Sequence, residues 1–262
     1  MELLWDELHT ALQAVISPTA ILLKNEGPSR KLEGLTEETR WVGDEPSSPQ
    51  TLIEGGVTFR VDMSGGQKTG WFFDQAANRA LVASLAKGAR VLDLYSYLGG
   101  FGLEAAKAGA ASVTLIDRSE PALDLTAQTA LENDLTGLCT FHRGNVFIET
   151  ERLAAEGALF DIVIADPPAF VKSRRDIKTG SRGYRKLARL SAALVAPGGL
   201  LFTTSCSHHM PLDQFAEQIR RGISDAGRSA RILYSTGAGP DHPVHPHLPE
   251  SAYLKAQLLQ LD

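Results

Sequence analysis

From Arg90 onward the sequence repeats one pattern, a short apolar run followed by a turn and an amphipathic stretch. The apolar runs at 90–94, 112–116, 139–142, 161–165, 200–204, 231–234 and 253–261 read as strands. The stretches at 99–108, 120–133, 145–156, 184–195 and 211–226 carry helical periodicity. Strands that alternate with helices form parallel sheets through right-handed crossovers. The expected fold class is therefore α/β, a doubly wound seven-stranded sheet over residues 70–262.

The 69 residues before it read differently. Leu4, Leu8, Leu12, Val15 and Ile16 share one helical face, and Ser17-Pro18 stops that helix. A short strand is expected over 19–24, and a polar loop with one helical turn over 25–50. Two strands at 50–54 and 57–62 flank Gly55-Gly56, a hairpin signal. Residues 1–69 thus form a small α+β domain, a candidate for substrate binding. The loop Ser64-Gly-Gly-Gln-Lys-Thr-Gly70 either cradles phosphate or serves as a hinge, since it lacks the spacing of a phosphate-binding P-loop. After it, Asp74 is placed to cap a helix over 75–85, where Gln75, Asn78 and Arg79 share a face.

Bulk properties exclude several classes. There are 26 basic and 31 acidic residues, a net charge of −5, which argues against a globally basic nucleic-acid binder but allows a local patch. The two cysteines, Cys139 and Cys206, are far apart, so neither a disulfide framework nor a cysteine zinc site is expected. A reducing, cytoplasmic setting is. No apolar run is long enough to span a membrane, and the acidic start Met1-Glu-Leu-Leu-Trp-Asp6 is unlike a signal peptide.

Two strand ends carry reactive groups. Asp161-Ile-Val-Ile-Ala-Asp-Pro-Pro-Ala-Phe170 is a buried strand running into a rigid polar loop, and Thr203-Thr-Ser-Cys-Ser207 ends the next strand in a thiol. Neighbouring parallel strands bring Asp166 and Cys206 to one sheet edge, where open α/β sheets bind ligands. At the first strand, Asp93-Leu-Tyr-Ser-Tyr-Leu-Gly-Gly-Phe-Gly102 exposes helix N–H groups, and Asp117 at the second strand's end can accept both hydroxyls of a ribose. A carboxylate in the first turn disfavours a pyrophosphate and suits a cation.

These motifs resemble those of class I S-adenosylmethionine-dependent methyltransferases, a Rossmann-like fold, over residues 71–262. More narrowly, the chain resembles the RlmI-type 23S rRNA 5-methylcytosine methyltransferases. The resemblance rests on Gly66-Gln-Lys-Thr-Gly70, Asp74-Gln75 with Asn78-Arg79, and Tyr95-Ser-Tyr-Leu-Gly-Gly-Phe101. It rests equally on Arg143-Gly-Asn-Val-Phe147, Asp166-Pro-Pro-Ala-Phe170, Ser205-Cys-Ser207 and Asp241-His-Pro243. It implies S-adenosylmethionine as cofactor. Asp93 and Gly99 line the methionine end with Tyr95, Ser96, Gly100 and Phe101; Asp117 and Arg118 hold the ribose side. Asn145 lies near the adenine, Gln75 and Arg79 close over the cofactor or its carboxylate, and Val146, Asp166 and Pro167 are further expected cofactor contacts. It also implies an N-terminal PUA domain, and residues 1–69 are too short for that domain plus the middle one.

The same resemblance implies chemistry at the thiol. Carbon 5 of cytosine is a poor nucleophile until a thiolate adds at carbon 6. Cys206 is the expected nucleophile, with Asp166 on the N3 and amino edge and Pro167-Pro168 fixing the loop. Ala169 stands where many RNA 5-methylcytosine enzymes carry a second cysteine. Pro168, Phe170, Lys172, Arg174, Arg182, Tyr184 and His242 are the expected substrate contacts. Lys172, Arg174, Arg175, Lys178, Arg182, Arg185, Lys186 and Arg189 form a basic cluster for a nucleic-acid backbone, or else a solvated helix face. His242, His245 and His247 border the pocket rather than bind metal, and no metal site is expected. The partner implied is RNA, ribosomal RNA in particular; the reading admits a homodimer and includes no membrane. Two alternatives stand: a methyltransferase for an exocyclic base amine, a protein or a small molecule, without a cysteine adduct, and a non-catalytic RNA-binding module.

Overall fold

The computed structural model describes residues 2–65 and 70–262; residues 66–69, the centre of the Gly-rich loop, lie outside the described residues. The chain divides into two compact units, Met1–Thr51 with Val61–Trp71, and Leu52–Arg60 with Phe72–Asp262.

In the smaller unit, α1 (Trp5–Ile16) ends at Ser17, whose left-handed backbone returns its N–H to Leu12 O. None of the residues of α1 is buried. Strand β1 (Ala20–Asn25) is followed by the short helix α2 (Pro28–Leu32) and by β2 (Glu38–Gly43). β1 and β2 pair antiparallel from Ala20↔Gly43 to Asn25↔Glu38. The loop expected over 25–50 is thus wrong at β2. Glu38, Thr39 and Arg40 are exposed, so this strand shows no buried face and exists through its partner. β3 (Gln50–Glu54) and β4 (Val57–Val61) pair around Gly55-Gly56, both at positive φ as a two-residue hairpin turn requires.

Besides the hairpin residues Leu52–Arg60, the larger unit holds a 3-10 turn, Phe73–Gln75, and α3 (Ala76–Ser84). There follow β5 (Arg90–Leu94), α4 (Gly100–Lys107), β6 (Ser112–Asp117), α5 (Glu120–Glu132), β7 (Cys139–Arg143), α6 (Val146–Ala155) and β8 (Phe160–Ala165). The chain closes with α7 (Ile177–Leu194), β9 (Val195–Ser205), α8 (Leu212–Asp225), β10 (Ala230–Thr236) and β11 (Lys255–Leu261). The seven strands are ordered β10-β11-β9-β8-β5-β6-β7. β9, β8, β5, β6 and β7 are parallel, and β11 runs antiparallel to both of its neighbours. The chain leaves β5 toward β6 and β7, then returns to its other side for β8, so strand order reverses between β5 and β8. Ligand crevices open at such a point.

Alternation along the strands decides which groups enter the core. Leu92, Leu94, Val163 and Ala165 pack with Tyr184 and Leu187 of α7 and with Phe215 and Ile219 of α8. Burying each large apolar side chain stabilises the fold by about 1.5–3 kcal/mol. Asp93, between Leu92 and Leu94, leaves on the opposite face.

Two boundaries differ from expectation. α7 begins at Ile177 rather than 184, because Gly180 and Gly183 do not break it. A Cβ on Gly180 would lie 2.6 Å from Phe170 O, so glycine lets the helix press against the loop after β8. Pro197-Gly-Gly199, expected to close that helix, lies inside β9, opposite a register shift between Phe160 and Ile162. Among the described residues no helix is long and apolar enough to cross a membrane.

Candidate active site

On one side of the switch point, backbone amides hold the acidic groups. Asp93 is buried and its Oδ2 accepts from Gly102 N at 2.9 Å, in the first turn of α4. Burial pushes its carboxyl up to about 8; the Gly102 bond and Arg79 oppose this, while Asp166 and Asp117 add to it. The loop from β5 to α4 carries Tyr95 and Tyr97 at φ 62° and 50°. Left-handed backbone costs a non-glycine residue about 1–2 kcal/mol, and such strain persists where surroundings enforce it. Gly99 follows at φ 73°, and a Cβ there would meet the Thr126 methyl at 2.5 Å. Asp117, at the end of β6, accepts from Tyr97 N at 2.9 Å through one oxygen and from Ser119 N at 2.8 Å through the other. Asn145 caps α6, its Oδ1 accepting from Phe147 N at 2.9 Å.

These groups fit a cationic nucleoside. Each Asp117 oxygen keeps a lone pair for a ribose hydroxyl. Ser96 Oγ is buried without a partner among the described residues, an unmet hydrogen bond that a ligand can supply. Asp166 and Asp117 both disfavour a negative charge on Asp93, a repulsion that a bound cation would offset. With Asn145 Oδ1 committed to the cap, its amide N–H groups suit an adenine ring nitrogen rather than the exocyclic amine. Gly100 opens α4, and Tyr95 is half-buried beside this crevice. Phe101 and Val146 depart from expectation. Phe101 packs its ring 5.4 Å from that of Phe202, and Val146 belongs to the apolar core, so their side chains face inward. Arg118 is exposed.

On the other side, side chains hold side chains. Pairing of Ala165 with Thr203 brings the ends of β8 and β9 together. Asp166 Oδ1 accepts from Gln75 Nε2 at 3.0 Å and from Thr204 Oγ1. Burial pushes Asp166 up to about 6, opposed by the Thr204 bond and reinforced by Asp74. Pro167 is buried and Pro168 exposed. Ser205 and Ser207 are wholly buried, while Cys206 between them is half-buried. Ser205 Oγ donates to Tyr184 OH at 2.7 Å, and Tyr184 OH lies 2.7 Å from Ser207 Oγ. Ser207 Oγ in turn accepts from Val171 N at 3.0 Å. Tyr184, expected to touch substrate, is therefore corrected to a buried tie. It is 1% exposed and joins the Cys206 loop to the loop after β8. Phe170 is half-buried, its ring 4.9 Å from Tyr184, 6.3 Å from Phe147 and 6.4 Å from Tyr95. Cys139 is the ordinary packing thiol, pushed up to about 11 by burial.

The start of α3 needs two further corrections. Asp74 does not cap α3, because a 3-10 turn carries it inside the bend; it accepts from Tyr253 OH at 2.5 Å. Gln75, Asn78 and Arg79 are all buried. Only Gln75 points to the crevice. Asn78 binds Gln75 Oε1, Gly237 O and Thr236 Oγ1 at 2.6, 3.2 and 2.8 Å. Arg79, expected to close over the cofactor, has Nε 2.5 Å from Glu54 and 3.2 Å from Glu104, so two carboxylates already hold it.

The basic cluster divides. Arg185 is paired bidentately with Asp225, and Lys186 reaches Glu151 at 3.2 Å and lies 5.0 Å above the Phe147 ring. Lys172, Arg174, Arg175, Lys178 and Arg182 are exposed and have no ion-pair partner among the described residues. His242 is half-buried beside Asp241, and His245 and His247 are exposed. Sequence patterns missed Thr204, Tyr253 and Lys255. The one available signal was a lysine opening an otherwise apolar strand, Leu254-Lys-Ala-Gln-Leu-Leu259.

A doubly wound sheet with an acid-lined crevice at its switch point defines a nucleoside-cofactor enzyme, and the comparisons specify which kind. A family model for S-adenosylmethionine-dependent methyltransferases matches residues 34–259, and the chain belongs to that family. Ribosomal RNA large subunit methyltransferase I of Aeromonas salmonicida is 37% identical over 252 residues, covering 95% of this chain and 64% of that protein. A protein from Streptococcus mutans, provisionally assigned as a SAM-dependent methyltransferase, superposes with a TM-score of 0.84 at 25% identity, over 99% of this chain and 66% of that one. A methyltransferase-assigned protein solved with SAH superposes equally well, TM-score 0.84, at 24% identity, over 99% of this chain and 66% of that one. The chain thus spans about two thirds of the length of these relatives.

Proposed function

We propose that the chain transfers a methyl group from S-adenosylmethionine to carbon 5 of a cytosine in RNA, ribosomal RNA in particular, with Cys206 as nucleophile. The observation that carries this reading is the half-exposed Cys206 between two wholly buried serines, on the strand next to Asp166. The serines turn inward to Tyr184, which leaves the thiol as the outward group of the loop. The name of the Aeromonas relative supplies the rRNA part.

The cofactor supplies an electrophilic methyl group on a sulfonium. Asp117 would hold its ribose, Ser96 and Asn145 would meet its polar edges, and the Asp93 carboxyl would favour its positive charge. Cys206 adds to carbon 6 of the base, and the double-bond electrons make carbon 5 nucleophilic toward the methyl carbon. Asp166, with its carboxyl raised toward neutrality, donates a proton to N3 as the sulfur adds. Carbon 5 takes the methyl group, whose bond to sulfur breaks to leave a neutral thioether; the carbon-5 proton then passes to water, the double bond re-forms as the thiolate leaves, and N3 returns its proton to Asp166. Lys172, Arg174 and Arg182 hold the phosphate backbone outside, and the target base enters unpaired or flipped. Pro168 and Phe170 line its entrance, with His242 on the far rim.

The test is methyl transfer from labelled cofactor to unmodified total RNA, with nucleoside analysis, for the natural protein and Cys206→Ala. The expected result is label in 5-methylcytidine and a loss of about a thousandfold or more in the variant, as for removal of a nucleophile. RNA containing 5-fluorocytidine, which has no carbon-5 proton to lose, should trap a covalent complex through Cys206. Label in another nucleoside, or activity retained by Cys206→Ala, overturns the cysteine mechanism.

A further inference from the structure

We propose that Lys255 is the cation that holds Cys206 as a thiolate, acting through the thiol as a positioning charge rather than on the substrate. The proposal rests on the reading of Cys206 as nucleophile. Lys255 opens β11 and pairs with Ser205 in the antiparallel register, one residue from Cys206. Its side chain is buried, 7% exposed. Nζ donates to Ser207 O at 2.7 Å and to Tyr253 O at 2.6 Å, so it is anchored on the residue that follows the thiol. An ammonium has three donors, and these two carbonyls are its partners among the described residues, which leaves one N–H unused.

A buried ammonium whose two partners among the described residues are neutral acceptors needs an anion near it. Burial accordingly pulls Lys255 down to about 8, and the charge of Cys206 is what opposes this shift. The same cysteine raises the hydroxyls of Tyr184 and Tyr253, which places the sulfur within electrostatic reach of all three side chains. The other groups around the thiol cannot take this role. Tyr184 is engaged by both serines, Tyr253 donates to Asp74, and Asp166 carries no positive charge in either protonation state. His208 is exposed and His209 half-exposed, with their rings packed on each other at 5.5 Å. Lys255 is the cation tied to the backbone of the Cys206 loop. The thiol proton leaves to solvent from the exposed side of Cys206, and the sulfur stays paired with the ammonium until it meets carbon 6.

The test needs neither RNA nor cofactor. In a Cys139→Ser background, the rate of Cys206 alkylation by iodoacetamide is followed from pH 6 to 10 by mass spectrometry. The expected midpoint lies below that of an ordinary cysteine thiol, about 8.5. Lys255→Met should raise it by about one unit or more, the usual effect of losing an adjacent opposite charge, and Lys255→Arg should keep it near the natural value. Asp74, Asp166, His208 and His209 are common to all variants, so the difference reads Lys255 alone. Should Lys255→Met fail to fold, Lys255→Gln keeps a donor for the Ser207 carbonyl and drops the charge. In methylation, Lys255→Gln should lower kcat about tenfold at pH 7 with little change in KM for RNA, and recover as pH rises. A natural midpoint at or above 8.5, or equal midpoints with and without the lysine charge, overturns the proposal. If the midpoint shifts but Cys206→Ala still methylates, the nucleophile reading fails and the lysine–thiol pair stands.

Discussion

The two sides of the crevice are built by different means. Around Asp93, Asp117 and Asn145, the fixed contacts are carboxylate or amide oxygens receiving backbone N–H groups, three of them from two to nine residues away and one, Tyr97 to Asp117, across the 20 residues of the β5–α4–β6 unit. Around Asp166 and Cys206, the contacts join side chains 21 to 91 residues apart: Tyr184 to Ser205, Thr204 to Asp166, Gln75 to Asp166. The first side is held by backbone amides of the consecutive β–α units from β5 to α6. The second exists only once α3, α7, β9 and β11 have come together, so its reactive geometry is coupled to global packing.

The sharpest way to break this contrast is to remove one anchor from each side. Asp117→Asn, which keeps an Oδ1 acceptor for a backbone amide, should raise KM for the cofactor about 10- to 100-fold, the range for losing hydrogen bonds to a charged group, and change the melting temperature less than Tyr184→Phe does. Tyr184→Phe should do the reverse. It leaves two buried serine hydroxyls and the Val171 amide network short of a partner, at about 1–3 kcal/mol of stability, and lowers kcat with cofactor affinity intact. Isothermal titration and thermal melting on both variants check this. Equal effects of the two on folding would erase the distinction.

The contrast also explains what the sequence could show. The placement of Asp93, Gly99 and Asp117 at the crevice was readable because each lies at a strand end or in the loop that follows it, and the fold class and family followed from the same spacing. Arg79 and Tyr184 were misread because a face shared on a helix does not say what covers it. Here Glu54 and Glu104 cover the one, and Ser205 and Ser207 the other. Lys255 was passed over since its meaning depends on an antiparallel neighbour 50 positions earlier, Ser205. The strand β2 was invisible for a related reason, being defined by pairing rather than burial.

Proton linkage sharpens the acidic side. Asp93 and Glu104 are pushed up to about 8, and Asp166 to about 6, in each case first by burial. The folded protein therefore binds more protons than the unfolded chain between about pH 4 and 8, so its stability falls as pH rises through that window. Acids held low by arginines, Glu217 among them at about 2, act only below it. Melting temperatures of cofactor-free protein should thus decline from pH 5 to 8, and Asp93→Asn should flatten the decline. Bound cofactor should flatten it too, because a sulfonium favours the ionised carboxylate. A natural protein whose melting temperature rises across this range would contradict the acidic-cluster account.

The smallest effects separate the two kinds of arginine on α7. Arg182 is exposed with no ion-pair partner among the described residues, whereas Arg185, less than a turn further, is locked to Asp225. A phosphate contact releases a condensed counterion, so its loss lowers the slope of log affinity against log salt by about one per contact. Arg182→Ala should therefore weaken RNA binding evenly across sequences and reduce that slope by about one. Arg185→Ala should leave the slope unchanged and loosen the contact between α7 and α8 instead. Filter binding at several salt concentrations distinguishes them. If both arginines change the slope alike, the salt bridge opens when RNA arrives and the basic rim extends along the whole of α7; if neither does, RNA approaches from another face of the crevice.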